Sequence, residues 1–362
     1  MRTGSINLPL HYGKCPAWLF RRMVKLGRAL VEVMLIESGR DEVLRRLTNP
    51  FWFQSLGCIM GFDWHSSGLT TTVCGALKEA LRDECGDLGI YICGGKGASS
   101  RRTPDEIISY VDRYALSLDA QRLVYASRMS AKVDNTALQD GYQLYHHTFI
   151  FTADGKWAVI QQGMNEVRRR ARRYHWLGDR VTDFVCEPQA AICTEAKEEN
   201  VLNLVARESA GARDMSASLA REKPDRLVKE LRKIQDRPDD LFLTSRHTLV
   251  LGDLHPDSVK RVLLKTYERQ PAGFEDLLAI KGVGPKAIRA LSLLAELSFG
   301  MKPSYRDPAK FSFAHGGKDG YPSPVDRKTY DHSIEYLEKA IKLSKLGNQA
   351  KLQAFKRLAL IR

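Results

Sequence analysis

Residues 145–162 read YHHTFIFTADGKWAVIQQ, the clearest strand signal in the chain. Two runs rich in β-branched and aromatic residues, Tyr145 to Thr152 and Lys156 to Gln162, flank the pair Asp154-Gly155. Such a pair favours a type I′ turn of two residues between antiparallel strands. The sequence therefore predicts a β-hairpin in which Ala153 faces Lys156.

Counting outward from this turn assigns the hairpin side chains to two faces. Phe151 would lie opposite Ala158, and His147 opposite Gln162, because register determines which side chains share a face. One face would carry His147, Phe149, Phe151, Ile160 and Gln162. The other face would carry His146, Thr148, Ile150, Val159 and Gln161.

Helical patterns surround this hairpin and predict an α+β fold. Apolar residues recur at helical spacing from Pro16 to Glu37, ahead of Gly39, and again between Leu249 and Phe299. We expect an N-terminal mixed α/β domain with the hairpin, followed by a mainly helical C-terminal domain. The predicted units are a catalytic domain (1–195), a charged helical connector (196–240), a DNA-binding unit (241–300), and an extended segment with C-terminal helices (301–362).

The charge, the cysteines and the length of the apolar runs indicate the class of protein. The 362 residues include 56 Lys and Arg against 43 Asp and Glu, which gives a formal charge of +13. Seven cysteines are scattered without a CxxC pair, a pattern typical of reduced thiols. Apolar runs end well before the ~20 residues that cross a bilayer. We therefore expect a basic cytoplasmic protein with a polyanionic partner.

Residues 277–291, LLAIKGVGPKAIRAL, resemble the helix-hairpin-helix motif that binds DNA. Two helices would meet at a tight turn, with the unpaired amides of the second helix facing outward. Such amides can bind a phosphate oxygen without reading the base sequence. The predicted contacts are Lys281, Gly282, Val283, Gly284 and Lys286.

Two further basic clusters could add phosphate contacts. One follows the hairpin and interleaves arginines with aromatic side chains, which can stack on a base or a sugar. Its predicted DNA-binding residues are Arg168, Arg169, Arg172, Arg173 and His175. The other follows Gly94-Gly95 and contributes Lys96, Arg101 and Arg102; its spacing departs from that of a nucleotide-binding P-loop.

Polar residues at the open end of the hairpin predict a catalytic site. The candidates there are Asp140, His146, His147, Gln161 and Gln162, joined by Asp63 and His65 from a Gly/Ser-rich loop. Asp63, Asp134 and Asp140 could hold Mg²⁺ or Mn²⁺, which neutralises a phosphodiester while a histidine transfers protons. The alternative is a partly buried network in which these side chains satisfy one another.

Four stretches carry a resemblance to a prokaryotic family, domain of unknown function 763. They are GFDWHSSGLTTT from Gly61, QDGYQLYHH from Gln139, KWAVIQQGMN from Lys156 and ARRYHWL from Ala171. The resemblance implies an intracellular bacterial or archaeal protein. A weaker resemblance to helix-hairpin-helix DNA glycosylases implies base excision through Lys286 and Asp326, although the interval between them is long and no cysteine cluster follows.

These features favour a metal-dependent DNA nuclease acting in DNA repair or processing. The N-terminal domain would hydrolyse phosphodiesters, and the helix-hairpin-helix would hold the DNA backbone without sequence preference. Two alternatives remain open at this stage: a glycosylase or lyase that uses Lys286 and Asp326, and a non-catalytic DNA-binding repair factor. The expected location is the cytoplasm at the nucleoid, and a dimer is compatible with the sequence.

Overall fold

The computed structural model describes residues 15–62, 66–194, 197–236, 255–309, 311–312 and 327–359, which are called the described residues below. Among them, a mixed sheet of six strands forms the middle layer and helices cover both of its faces. The predicted α+β class is confirmed. None of the described helices combines the length and the apolar character needed to cross a membrane.

In the described residues, four helices precede the first strand, four strands follow one another in the middle of the chain, and the later strands are short. The strands are β1 (Ile90–Lys96), β2 (Leu138–Gln139), β3 (Gln143–Thr152), β4 (Trp157–Asn165), β5 (Arg170–Leu177), β6 (Ala191–Thr194), β7 (Leu202–Asn203) and β8 (Phe311–Ser312). The sheet order is β1-β3-β4-β5-β6-β8, antiparallel except for the last pair. β2 and β7 pair separately.

The helices before β3 are α1 (Ala17–Thr48), α2 (Pro50–Met60), α3 (Gly68–Leu81), α4 (Cys85–Leu88), α5 (Ala98–Arg101), α6 (Thr103–Arg113) and α7 (Ala120–Lys132). A π-helical turn, Val133–Ala137, follows α7. The later helices are α8 (Ala210–Leu219), α9 (Pro224–Asp236), α10 (Pro256–Arg269), α11 (Phe274–Ala279), α12 (Pro285–Phe299), α13 (Arg327–Leu343) and α14 (Asn348–Ala359).

The predicted hairpin is present as β3 and β4, but its turn has three residues rather than two. The amide of Thr152 donates to the carbonyl of Lys156 at 2.9 Å, so Ala153 lies within the turn. Gly155 has a φ of 85°, the left-handed conformation that closes a three-residue hairpin loop. The predicted two-residue turn is therefore wrong by one residue.

This extra turn residue shifts the pairing of the two strands. His147 faces Gln161, and His146 faces Gln162. The first face of the sheet carries His147, Phe149, Phe151, Val159 and Gln161, and the second face carries His146, Thr148, Ile150, Ile160 and Gln162. The predicted alternation within each strand is correct, but the assignment of the β4 side chains to the faces was inverted.

Each face of the sheet has its own hydrophobic core. The first face packs against α6 to α12, with buried side chains that include Ile107, Leu123, Leu231, Leu277 and Leu291. The second face packs against α1 to α3 and the two C-terminal helices, with buried side chains that include Leu30, Phe53, Leu77, Leu337 and Leu358. Two apolar faces explain why β3 and β4 are almost continuously buried.

Two helix boundaries follow from residues that are known to end or begin helices. Gly39 interrupts α1 with φ 76° and ψ 176°, where the sequence predicted the end of a helix. Asn49 caps α2, because its side-chain oxygen accepts a hydrogen bond from the amide of Trp52 at 3.0 Å, and Pro50 occupies the first turn. The segment Phe51–Phe53 is therefore helical.

The predicted connector and C-terminal segment both pack on the sheet layers. Leu227 and Leu231 of the connector are buried in the first core together with Leu277. In the C-terminal segment, the hydroxyl of Tyr336 donates to Ser38 at 2.9 Å, and Arg357 donates to the carbonyl of Ile59 at 3.0 Å. The described parts of these units thus share cores with the predicted catalytic domain.

Candidate active site and nucleic-acid interface

The segment from Phe274 to Phe299 folds as a helical hairpin. α11 and α12 are joined by residues 280–284, and buried Leu277, Ile288 and Leu291 hold the two helices together. Gly282 has a φ of 102°, which an L side chain rarely adopts. Gly284 is extended, and a Cβ built on it would meet nothing within 4 Å.

Lys281 and Lys286 are exposed on either side of this turn, as a phosphate contact requires. Val283 differs from the prediction, because its side chain is buried and its amide donates to the carbonyl of Ile280 at 3.1 Å. The remaining candidate donors are the amides of Lys286 and Ala287 in the first turn of α12, because Pro285 has no N–H and Ile288 donates to Gly284. Open space beside Gly284 leaves room for a phosphate oxygen.

Three polar contacts fix the position of the turn against the first face of the sheet. Lys132 of α7 donates to the carbonyl of Val283. The side chain of Gln139 donates to the carbonyl of Pro285 at 3.0 Å and accepts from Arg289 at 2.8 Å. The turn is thus attached to β2, which lies four residues before the start of β3.

Exposed basic side chains collect at one end of the sheet, which we call the basic end. Lys96 faces His146 at the end of β1, and the loop between β4 and β5 lies at the same end because Asn165 faces Arg170. The exposed members are Lys96, Arg101, Arg102, Arg168 and Arg169. They come from two segments that are distant in sequence, and all five were predicted to bind DNA.

Arg172 was also predicted to bind DNA, but it is fully buried in β5. Its guanidinium donates to Asp140 at 2.9 Å and to the two carboxylate oxygens of Asp307 at 3.1 and 2.6 Å. Although burial opposes the charge, the two carboxylates raise the pKa of Arg172 above its ordinary value. Arg172 therefore connects the sheet to residues 301–309 through buried ion pairs, and it is not accessible to DNA.

Asp140 belongs to these buried ion pairs and does not line an open site. The hydroxyl of Tyr174 donates to the same carboxylate at 2.7 Å. Burial raises the pKa of Asp140, and the charge of Arg172 opposes that rise. With both donors in place, the carboxylate has a structural role in this arrangement, which does not support the predicted catalytic role.

Arg173 and His175 point to the second face and are also buried, so neither can contact DNA from this position. Arg173 donates to His175 Nε2 at 2.9 Å. It also donates to Gln54 of α2 at 3.0 Å and to Thr70 of α3 at 3.3 Å. Burial lowers the pKa of Arg173. The arginine run was wrongly grouped as one surface cluster because β5 sends alternate residues to opposite faces.

His146, Gln162 and Arg173 are direct neighbours across β3, β4 and β5, and we call them the polar row. All three are at most 1% exposed. Gln162 donates to the carbonyl of Ser67 at 2.9 Å and His146 Nε2 lies 3.0 Å from Thr148 Oγ1. His146 Nδ1, Gln162 Oε1 and Arg173 Nη2 have no hydrogen-bond partner in the structure.

The first face carries a different network around His147 and Asp134. His147 Nδ1 lies 2.7 Å from Gln161 Oε1 and its Nε2 lies 2.9 Å from Ser127 Oγ. Gln161 in turn donates to Asp134. Burial lowers the pKa of His147 to about 4 and raises that of Asp134 to about 7. Both ring nitrogens of His147 are occupied, so this part matches the predicted alternative of a self-satisfied network.

The hairpin histidines and glutamines therefore form two sites rather than one. His146 and Gln162 belong to the polar row, and His147 and Gln161 to the network around Asp134. The sheet separates the two pairs. Of the remaining candidates, Asp63 and His65 lie outside the described residues.

The predicted metal ligands do not come together within the described residues, which contain no group of three His, Cys, Asp or Glu side chains suited to a metal ion. Asp134 accepts hydrogen bonds from Trp176 at 2.8 Å and Gln189 at 2.6 Å. Asp140 is engaged by Arg172. Neither carboxylate fits a divalent cation in this arrangement, and the predicted Mg²⁺ or Mn²⁺ site stays a prediction that depends on Asp63.

Sequence reasoning missed several residues that complete these networks. Asp307 and Gln189 line a pocket of about 570 Å³ beside β6 and reach Arg172 and Asp134, respectively. Nothing local distinguishes either residue in the sequence. Residues 170–177 did carry a usable signal, because Arg172, Tyr174 and Trp176 recur at the spacing of one strand face.

The fold and the site define an α+β protein in which a helix-covered mixed sheet is joined to a helical hairpin. A family model matches residues 4–325, and the chain belongs to that family, DUF763, described as a protein of unknown function. No curated protein and no solved structure matches the chain.

Proposed function

We propose that the protein binds DNA along its sugar-phosphate backbone and hydrolyses phosphodiester bonds, in DNA repair or processing at the nucleoid. The turn of residues 280–284 carries the proposal. It presents the start of a 15-residue helix, two exposed lysines and open space at Gly284. A helix N-terminus with adjacent cations is a common way to bind phosphate.

The position of the turn relative to the sheet supports a shared DNA path. Gln139 holds the turn and lies shortly before Gln143, whose partner Met164 is next to the basic loop between β4 and β5. The residue that holds the turn is thus only four positions from the strand that begins at the basic end. A duplex that contacts both would bury several phosphates against cations, which supports affinity without sequence preference.

The polar row lies behind the loop that carries the remaining catalytic candidates. Its members are buried, so they would position that loop rather than touch the phosphodiester. Gln162 donates to the carbonyl of Ser67, which lies two residues after His65 and four after Asp63 in the sequence. Asp63 and His65 therefore remain the candidates to supply the missing carboxylate or metal ligand.

The test is incubation of the purified protein with end-labelled single-stranded, double-stranded and branched DNA, with Mg²⁺ or Mn²⁺ and in parallel with EDTA. We expect cleavage that EDTA abolishes. Binding without product would reject hydrolysis and leave a DNA-binding factor. Borohydride trapping of a DNA adduct through Lys286 would instead favour the glycosylase or lyase alternative, whose second residue, Asp326, lies outside the described residues.

A pair of variants at Gly284 tests the turn itself. Gly284→Asp should weaken binding to all DNA sequences, because its carboxylate would repel the phosphate. Gly284→Asn has nearly the same shape without the charge and is the matched control. Both should fold normally, since the backbone is extended and the space is open. Equal affinity of the Asp variant and the wild type would remove the turn from the DNA interface.

A further inference from the structure

Arg173 is an unusual buried cation. It is fully buried, yet its side-chain hydrogen-bond partners among the described residues are uncharged groups: His175, Gln54, Thr70 and the Cys193 thiol. Arg172, its neighbour in the chain, has two carboxylate partners in an equally buried position. A buried charge without a partner is strongly unfavourable, so Arg173 requires an explanation that Arg172 does not.

The unpaired atoms of the polar row belong to residues that are direct neighbours across the strands, and they are chemically complementary. Arg173 Nη2 is a donor, Gln162 Oε1 is an acceptor, and His146 Nδ1 is either, depending on its tautomer. Directly paired residues on neighbouring strands place their Cβ atoms roughly 4.5–5.5 Å apart. Three buried orphan atoms in one such row are uncommon, because buried polar groups are nearly always hydrogen-bonded.

We propose that the polar row of His146, Gln162 and Arg173 is an internal binding site for one phosphate group. A phosphate can accept two hydrogen bonds from Arg173 and neutralise its charge, which a water molecule cannot do. A protonated phosphate oxygen can also donate to Gln162 Oε1. Exposed Lys96, which faces His146 at the basic end, lies beside the row on the solvent side.

This inference does not depend on DNA cleavage, because phosphate binding is measurable with the protein alone. Equilibrium dialysis with radiolabelled inorganic phosphate, after overnight incubation, should show saturable binding of about one phosphate per chain. Sulfate at equal ionic strength should compete poorly, since it carries no proton at neutral pH to donate to Gln162. Failure of the wild type to bind phosphate saturably would overturn the proposal.

Gln162→Glu provides the decisive variant. It places a carboxylate directly opposite Arg173, so the variant supplies the counter-charge from within the chain. We expect Gln162→Glu to remain folded and to lose phosphate binding. The control Arg180→Gln removes an exposed cation at the opposite end of the sheet and should keep phosphate binding.

The outcomes separate the site from non-specific effects and identify the source of the phosphate. Retained binding in Gln162→Glu, or loss in the Arg180 control, would show that phosphate binds elsewhere and would overturn the proposal. A 5′-phosphorylated oligonucleotide that competes with inorganic phosphate, when its 5′-hydroxyl counterpart does not, would assign the site to a DNA end. Competition by neither oligonucleotide would assign it to free phosphate.

Discussion

His147 links the stability of the protein to pH at the scale of a single residue. Its imidazole is buried between Ser127 and Gln161, and burial lowers its pKa from 6.5 to about 4. The folded protein therefore holds a neutral ring at pH values where the unfolded chain is protonated. The unfolded state binds the extra proton between these two pH values.

We expect the free energy of unfolding to fall as the pH drops from 6.5 to about 4. His147 alone contributes a slope of up to about 1.4 kcal/mol per pH unit in this window, and none above pH 6.5. His147→Gln should remove that part of the slope in urea titrations at several pH values. The exposed histidine His255 provides the control, and an equal reduction in His255→Gln would contradict this explanation.

His146 and Asp134 change the free energy of unfolding in opposite directions as the pH falls. Burial lowers the pKa of His146 to about 3, which adds to the acid sensitivity. Burial raises the pKa of Asp134 to about 7, so its contribution is present below pH 3.8 and is lost as the pH rises to 7. The slope of the free energy of unfolding against pH in the wild type is thus the sum of these contributions. The His147 variant isolates one of them.

At the scale of elements, two glycines in one turn have different tasks. Gly282 adopts a positive φ that allows residues 280–284 to connect α11 and α12. Gly284 has an ordinary extended backbone beside open space, so only its lack of a side chain matters. The first glycine shapes the turn, and the second leaves its outer surface accessible.

This difference predicts unequal effects of the same substitution. Gly282→Ala should lower the free energy of unfolding by about 1–2 kcal/mol, because a Cβ is strained in the left-handed conformation. Gly284→Ala should change it by less than about 0.5 kcal/mol, as is usual for substitutions that disturb no packing. Urea unfolding of the two variants provides the comparison. Equal losses would show that the turn has another conformation.

At the scale of the whole molecule, the positive charge is distributed unevenly along the sheet. Arg101, Arg102, Arg168 and Arg169 are exposed at the basic end. At the other end, where β5 finishes at Leu177, Asp179 lies beside Arg180, and Lys156 pairs with Asp41. A polyanion should therefore approach the basic end, where the potential of several cations adds up.

Charge reversal at the two ends tests this distribution. Arg101→Glu should weaken DNA binding and should reduce the slope of log K against log salt by roughly 0.9 for each phosphate contact that is lost. Arg180→Glu makes the same change of charge at the opposite end and should have little effect. Fluorescence anisotropy at several salt concentrations measures both quantities. A stronger effect of Arg180→Glu would place the DNA path elsewhere.

The sequence by itself determined the elements whose signals are local. Asp154-Gly155 between two β-rich runs predicted the hairpin, and Gly282 with Gly284 predicted the helical hairpin at Phe274–Phe299. The exposed cations Lys96 and Arg168 were also identified correctly as surface residues. These features depend on turn chemistry and side-chain spacing within a few residues.

The tertiary structure alone decided which of these residues meet. One additional turn residue moved Gln161 to the face of His147, and the alternation of β5 sent Arg172 and Arg173 into different cores. Asp307 pairs with Arg172, although the two residues are 135 positions apart in the chain. Register and long-range pairing depend on how two apolar faces are buried together, and no short window of sequence contains that information.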